Sequence, residues 1–378
     1  MKWEPYRLDE LGSVSRGRSR HRPRDATHLY GGPYPFVQTG DVKHAGLYVT
    51  TYSQTYSAAG LEQSKLWPAG TLCITIAANI ADTAILGFDA CFPDSVIGFV
   101  ANEEKADARF LKYLFDATVQ RLAQQFSQGA TQDNLSQAKL LSIPLLVPAV
   151  GEQRRLADVL AAYDDLIDNN RRRIKRLEDS VRLMFDEWFV RLRFPGHQST
   201  TSADSLPSGW SRLPLDEALI LQRGFDLPSQ DREAGDIPIY GSTGIVGFHN
   251  KAKVSGPGIV TGRSGTLGEV HFVAGDFWPL NTALWVKEFK RVTPLFALHL
   301  LRGMNLGQYN GGVSVPTLDR KVVHKAEIVL PPVALMARFD EVAKDVRQQI
   351  ETLATMNEKL RTARDLLLPR LMSGELTV

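Results

Sequence analysis

The sequence predicts an α+β protein made of two domains in pseudo-twofold repeat, separated by two long helices that form an antiparallel coiled coil. Three observations carry this expectation: the chain is written twice, each copy ends in a heptad-patterned run, and a polar stretch divides the copies. Its 378 residues exceed one ordinary core and suit two domains of roughly 150 to 200 residues. The opening "WEPYRLDELGSVSRG" from Trp3 is matched by "WSRLPLDEALILQRG" from Trp210, with Leu-Asp-Glu and Arg-Gly in the same places. The closing "GATQDNLSQAKLLSIPLLVPAVGEQRRLADVL" from Gly129 parallels "GVSVPTLDRKVVHKAEIVLPPVALMARFDEVA" from Gly312. The closing blocks lie 183 residues apart (129 to 312) and the opening blocks 207 (3 to 210), so the first copy carries about 24 extra residues in its interior.

The segments follow in order: residues 1–150 as the first domain, 151–194 as the first long helix, 195–209 as a linker, 210–332 as the second domain, and 333–378 as the second long helix and C-terminal tail. In each domain, short-period stretches such as "YPFVQTGDV", "GTLCITIAANIADTAIL", "IPIYGSTGIVGF" and "GPGIVTGRSGTLGEVHFV" predict strands and tight turns. One helix per domain is expected around "DARFLKYLFDATVQRLAQQF" and "TPLFALHLLRGMNLGQY". A final strand, "LLSIPLLVP" or "AEIVLPP", precedes a proline stop and the long helix. "FDEWFVRLRFPGH" is read as the aromatic end of the first long helix, halted by Pro195-Gly196. Its large rings are expected to pack that end onto a domain or a partner.

On the first long helix, Leu156, Leu160, Tyr163, Ile167, Asn170, Ile174, Leu177, Val181, Met184 and Trp188 alternate steps of four and three. That seam runs for more than four heptads and predicts a coiled coil of roughly 60 Å. On the second, Phe339, Ala343, Val346, Ile350, Leu353, Asn357, Leu360, Arg364, Leu367 and Leu371 compete with a neighbouring stripe that includes Val342 and Met356. Placing Leu156 opposite Leu371 in an antiparallel pair puts Asn170 against Asn357, Leu177 against Ile350 and Trp188 against Phe339. An amide pair inside an apolar seam specifies register at some cost in stability, so Asn170 and Asn357 are the expected register residues.

Composition excludes several classes. Hydrophobic residues at 43% and charged residues at 23% describe a soluble globular chain. No apolar run approaches the roughly 18 residues a membrane span requires. The acids of "MKWEPYRLDE" do not suit a signal peptide, and a cytoplasmic location is expected. Cys73 and Cys91 are too few for a disulfide framework or a zinc site, so buried thiols are expected and no metal. No P-loop, G-x-S-x-G elbow or H-E-x-x-H is present, and the eight histidines are scattered. "GSTGIVGF" lacks the strand-turn-helix context of a cofactor turn, and the single Pro-Pro, in "LPPV" at Leu330 to Val333, opens a helix rather than forming an amino-methyltransferase tetrapeptide. No catalytic residue and no bound cofactor are therefore expected. The net charge of +2 is near neutral, but "SRGRSRHRPR" from Ser15 to Arg24 and "RRRIKR" from Arg171 to Arg176 concentrate positive charge. Two polar, loop-bearing domains on a helical spacer suit the reading of two separated sites on an extended ligand, with DNA the natural candidate.

The doubled layout, "GATQ" at Gly129 to Gln132, "IPLLVPAVGEQRRLADVL", "FDEWFVRLRFPG" and "LPSGW" at Leu206 to Trp210 resemble the DNA-specificity subunits of type I restriction-modification systems. The resemblance covers the whole chain, and its motifs are specific in combination. It implies two target-recognition domains, each reading half of a split double-stranded DNA site. It also implies two docked methyltransferase subunits that bring S-adenosylmethionine and adenine-N6 transfer, and two ATP- and Mg-dependent restriction subunits in the full complex. Base flipping and chemistry would belong to those partners. The readings it competes with are a coiled-coil scaffold with two protein-binding domains and a self-contained DNA modification enzyme.

The candidate DNA-contacting residues come from both lines of reasoning. Arg16, Arg18, Arg20, Arg22 and Arg24 alternate, so an extended segment would present all five on one side. Gln38 and Thr39 in "FVQTGD" sit where Tyr240, Gly241 and Ser242 sit in the second half. Arg263, Ser264 and Thr266 lie in the Gly-rich "TGRSGTLG", and Asn79 occupies the similar place in the first half. The resemblance adds Thr131 and Gln132, whose roles carry over only partly to Ser314 and Val315. "RRRIKR" is expected to be a solvated coiled-coil face or a partner contact.

Overall fold

In a computed structural model the structure describes residues 2–77, 81–119, 136–197, 206–312 and 314–378. They form two compact units, Met1–Arg172 with Leu353–Val378, and Arg173–Thr352. The mixed α+β class is as expected, and the repeat is visible strand by strand.

In the first unit a five-stranded sheet has the order Gly12–Arg16, Val96–Ala101, Leu72–Thr75, Thr83–Leu86, Tyr48–Val49. In the second, the order is Leu219–Arg223, Ala283–Phe289, Gly258–Gly262, Val270–Val273. The first four strands correspond in both order and direction, all pairing antiparallel. The fifth strand, Tyr48–Val49, pairs parallel to Thr83–Leu86. It belongs to the extra length of the first copy, which also supplies the helices Thr39–His44 and Ala58–Glu62. The first of these corrects the expectation of strand and turn across "QTGDV". The backbone N–H of Gln38 donates to Asp41 Oδ2 at 2.8 Å, which satisfies the start of a helix.

The final strands close each unit in the same way. Leu145–Val147 pairs antiparallel with Glu4–Tyr6, and Glu327–Leu330 pairs antiparallel with Ser211–Pro214. The opening and closing repeat blocks of each copy are therefore hydrogen-bonded neighbours. The domain helices form where the sequence places them, each started by its own cap: Asp107 accepts the N–H groups of Arg109 and Phe110 ahead of Ala108–Leu114, and Thr293 accepts that of Phe296 ahead of Pro294–Gly303. Strands buried along their whole length, such as Leu72–Thr75 and Gly258–Gly262, account for the apolar, non-alternating stretches in the sequence.

The long helices run over Val150–Phe185, extended by a wide turn Asp186–Val190, and over Val333–Met372. Within the first unit, Leu156, Ala157, Leu160 and Ala161 share a core with Leu371 and Met372. Within the second, Val181, Phe185 and Phe189 share one with Leu335, Met336, Phe339 and Ala343. Of the two competing stripes, Ala343, Ile350, Leu353 and Asn357 are buried while Val342 and Met356 are more than 40% exposed. The heptad stripe wins because its residues meet apolar partners. Phe185 packs its ring 5.2 Å from Phe296 and 5.6 Å from Phe339, and Trp188 lies 6.4 Å from Phe339. The aromatic helix end is thus part of the second unit's core.

Candidate nucleic-acid interface

Each half carries its polar loops at the ends of the same strands. Arg16 and Arg223 are the last residues of the matching edge strands, and each is followed by a glycine pressed against main chain. A Cβ at Gly17 would collide with the carbonyls of Phe92 and Pro93, and one at Gly224 with those of Pro279 and Leu280. The Arg-Gly repeat of the sequence therefore marks a place where the chain must leave the sheet under a neighbouring backbone.

In the first unit the strand ends at Arg16, which corrects the expectation of one extended row of five arginines. All five are exposed, with Gly17 and Ser19 buried between them, so the alternation survives only as far as Arg20. Three of the five, Arg16, Arg22 and Arg24, turn their side chains back on the protein. Arg16 Nε donates to the carbonyl of Asp94 at 2.9 Å, and Arg24 grips the Asp94 carboxylate with both oxygens at 3.0 Å. Arg22 donates to the carbonyls of Ser19 and His21. Arg18 and Arg20 are exposed and form no ion pair with a described residue. Gln38 and Thr39 are half-buried at the start of the helix Thr39–His44, and Gln38 Nε2 donates to Gln54 Oε1 at 2.7 Å. Asn79, Thr131 and Gln132 lie outside the described residues.

The second unit draws its candidates closer together. Ser242 occupies the turn between Ile237–Gly241 and Gly244–His249. The loop from Arg263 to Glu269 folds against that turn and against the stretch from Asn310 to Leu318. Arg263 and Ser264 donate their N–H groups to Thr282 O at 2.8 and 3.1 Å, Gly265 donates to Pro316 O at 2.9 Å, and Leu318 donates to Arg263 O at 2.8 Å. A Cβ at Gly262 would collide with the Thr266 carbonyl and crowd that of Ser242, so the tight fold of this loop requires glycine there. Thr266 and Ser314 are exposed, whereas Arg263 and Ser264 are half-buried. Tyr240 is a correction. Its ring is buried in a core with Val260 and Phe277, burial raises its hydroxyl pKa, and it is a packing residue rather than a reader.

Reasoning from sequence did not select Arg223, Arg320 or Lys321. With Arg263 they line an open groove of about 640 Å³ that also includes Gly311, Gly312 and Thr317. The Arg-Gly repeat was the available signal for Arg223. Nothing in periodicity separates Arg320 and Lys321 from ordinary surface cations.

Two polar clusters also lie within the units. Asn170 Nδ2 donates to Asn357 Oδ1 at 3.0 Å, and Asn357 Nδ2 reaches Ile167 O at 3.5 Å. Asp164 is buried between the Tyr113 hydroxyl, which donates to it at 2.6 Å, and the Arg364 guanidinium, which also bonds Asp365. This network joins the domain helix to both long helices inside the first unit. At the 183-residue shift its helix positions become Arg347 and Val181 in the second unit, where the buried His299 packs against Phe185 and Phe339 instead. Among the described residues no group of three or more His, Cys, Asp or Glu could hold a metal ion, and no helix is long and apolar enough to cross a membrane. Cys73 and Cys91 are free, buried thiols, and burial raises both their pKa values.

The frame and its loops can be set beside known proteins. Residues 1–179 match the family model of the type I restriction modification DNA specificity domain. Over these residues the chain is similar to the specificity subunits of type I restriction-modification systems. The MjaIX specificity subunit of Methanocaldococcus jannaschii is 23% identical, covering 100% of this chain and 94% of its own. The EcoprrI specificity subunit of Escherichia coli is 21% identical, over 84% of this chain and 82% of its own. The crystal structure of a type I restriction-modification S subunit from M. genitalium superposes with a TM-score of 0.59 at 16% identity. It covers 98% of this chain and 96% of that one, a likeness of fold. The likeness of fold to that S subunit extends over nearly the whole length, both copies of the repeat included.

Proposed function

We propose that this chain is the non-catalytic recognition subunit of a type I restriction-modification complex, reading a bipartite double-stranded DNA site with one unit per half-site. The observation that carries the reading is the repeated frame. The same strand order ends in the same Arg-Gly exit, yet each copy bears different loops. A shared frame with divergent polar loops suits two readers of different half-sites, because base readout depends on a few side chains held at defined positions.

On this reading two methyltransferase subunits dock on the chain and bring S-adenosylmethionine, and restriction subunits bring ATP and Mg. The complex they form is an adenine-N6 DNA methyltransferase and ATP-dependent endonuclease acting in the cytoplasm. Arg18, Arg20, Gln38 and Thr39 contact the first half-site, with Asn79, Thr131 and Gln132 proposed beside them. Ser242, Arg263, Ser264, Thr266 and Ser314 contact the second. With a near-neutral net charge, the isolated chain binds DNA modestly and with a steep salt dependence.

Single-molecule sequencing of host DNA for N6-methyladenine, with the gene intact and deleted, tests this reading. Loss of methylation at one split motif, two short half-sites around a fixed gap, is the expected result. An unchanged methylome in cells expressing the protein, together with no methyltransferase captured on the purified chain, would favour the scaffold reading.

A further inference from the structure

Arg223, Arg263, Arg320 and Lys321 come from three separate stretches of sequence and converge on one groove in the second unit. Arg223 lies 3.6 Å from Asp226, and Arg263 Nη1 donates to the carbonyl of Asn281 at 3.1 Å. Arg320 and Lys321 are exposed and form no ion pair with a described residue. The acid of the lining, Asp319, accepts the backbone N–H of Lys321 at 2.9 Å, so it is held at the start of the short helix Arg320–His324. Four cations thus share the lining with one carboxylate, and a second, Asp226, lies beside Arg223. Such a groove is too open to enclose a small molecule, but its row of cations matches a run of backbone phosphates.

The first unit gives the comparison. At the 183-residue shift Arg320 and Lys321 correspond to Gln137 and Ala138, and Arg16 alone matches a groove cation, Arg223. The charge is therefore a property of this half and not of the shared frame. We infer that Arg223, Arg263, Arg320 and Lys321 clamp the DNA phosphate backbone at the second half-site, an inference that rests on the DNA-recognition reading. Arg320 and Lys321 hold phosphates without reading bases, so they set affinity and its salt dependence.

The test uses the full-length chain and a fluorescently labelled duplex of about 30 base pairs of mixed sequence, with binding followed by anisotropy from about 50 to about 200 mM salt. Removing two phosphate contacts should make the slope of log K against log salt shallower by about 1.8. Arg320→Gln with Lys321→Gln is the clamp variant, and Arg223→Gln alone should change the slope by about half as much. Arg338→Gln with Lys344→Gln removes the same charge from exposed positions on the second long helix and is the control. All substituted side chains are exposed, and equal circular dichroism spectra verify the fold. The inference is supported if the clamp variants lose slope and the control does not. It is overturned if the clamp variant keeps the wild-type slope or the control loses as much. A wild-type chain that fails to bind the duplex at the lowest salt overturns the DNA reading itself, a separate result.

Discussion

Replacing Asn170 and Asn357 by leucine, singly and together, separates a mutually satisfied amide pair from two polar residues that merely happen to be buried. Asn170 is 1% exposed and Asn357 2%, so neither amide can turn to water when the other is removed. The Asn170 Nδ2 bond to Asn357 Oδ1 at 3.0 Å is the better of the two contacts recorded for the pair. Either single substitution leaves a desolvated amide behind and should cost about 1 to 3 kcal/mol. Asn357→Leu should be the worse, because after Asn170→Leu the Asn357 amide still has the 3.5 Å contact with Ile167 O. Leucine is close to isosteric with asparagine, so the double variant removes both polar groups without a cavity and should return to within about 1 kcal/mol of wild type. Urea unfolding of the four proteins, followed by circular dichroism, gives a coupling energy of at least about 1 kcal/mol if this is right. Additive losses, or singles that cost less than about 0.5 kcal/mol, would refute it by showing that the amides find other partners.

Tyr113→Phe removes the 2.6 Å bond to Asp164 and should cost about 1.5 to 3 kcal/mol, since the acceptor is a carboxylate and buried. Asp164→Asn should cost about 1 to 3 kcal/mol, below the full penalty for a broken buried pair because Arg364 keeps Asp365 at 2.8 Å; both are read by urea midpoints. His299 has its pKa lowered to about 4, first by burial and then by Arg302. A folded-state value below the unfolded one of about 6.5 means that its contribution is fully present above pH 6.5 and is lost as pH falls towards 4, by up to about 3 kcal/mol. His299→Leu should therefore unfold with a weaker dependence on pH between about 7 and 4 than wild type, and parallel profiles would exclude the residue as the cause. Gly262→Ala drives a Cβ into the Thr266 carbonyl and should open the Arg263–Glu269 loop at about 1 to 3 kcal/mol. Methylation at the split motif should fall with it, which sequencing of host DNA measures.

The frame was legible where physics acts locally or repeats. Heptad spacing located both long helices, and the paired opening and closing blocks of each copy turned out to be adjacent strands because the same residues bury the same faces twice. Capping chemistry was partly legible: Asp107 and Thr293 mark their helices, whereas the Gln38–Asp41 start was hidden in a stretch that also reads as turn. The site was less legible because it depends on contacts between distant stretches. That Asp94 would hold Arg16 and Arg24 cannot be seen from the arginine alternation, since the acid lies 70 residues from Arg24. Tyr240 reads as a strand end in sequence and is a core ring in space.

The two halves resolve one conflict differently. A reading loop must sit close to backbone and yet carry cations, and cations near a folded chain tend to be captured by its own acids and carbonyls. In the first half that capture has happened: Asp94 and the carbonyls of Ser19 and His21 hold Arg16, Arg22 and Arg24, while Arg18 and Arg20 form no ion pair with a described residue. In the second half the cations are spread over a strand end, a loop and a short helix, and Asp319 is already held by the backbone N–H of Lys321. Arg320 and Lys321 consequently keep their charge available. The repeat thus fixes where loops leave the sheet, while the placement of acids decides which cations remain free, and a change of target can be made through those few residues without disturbing the frame that holds them.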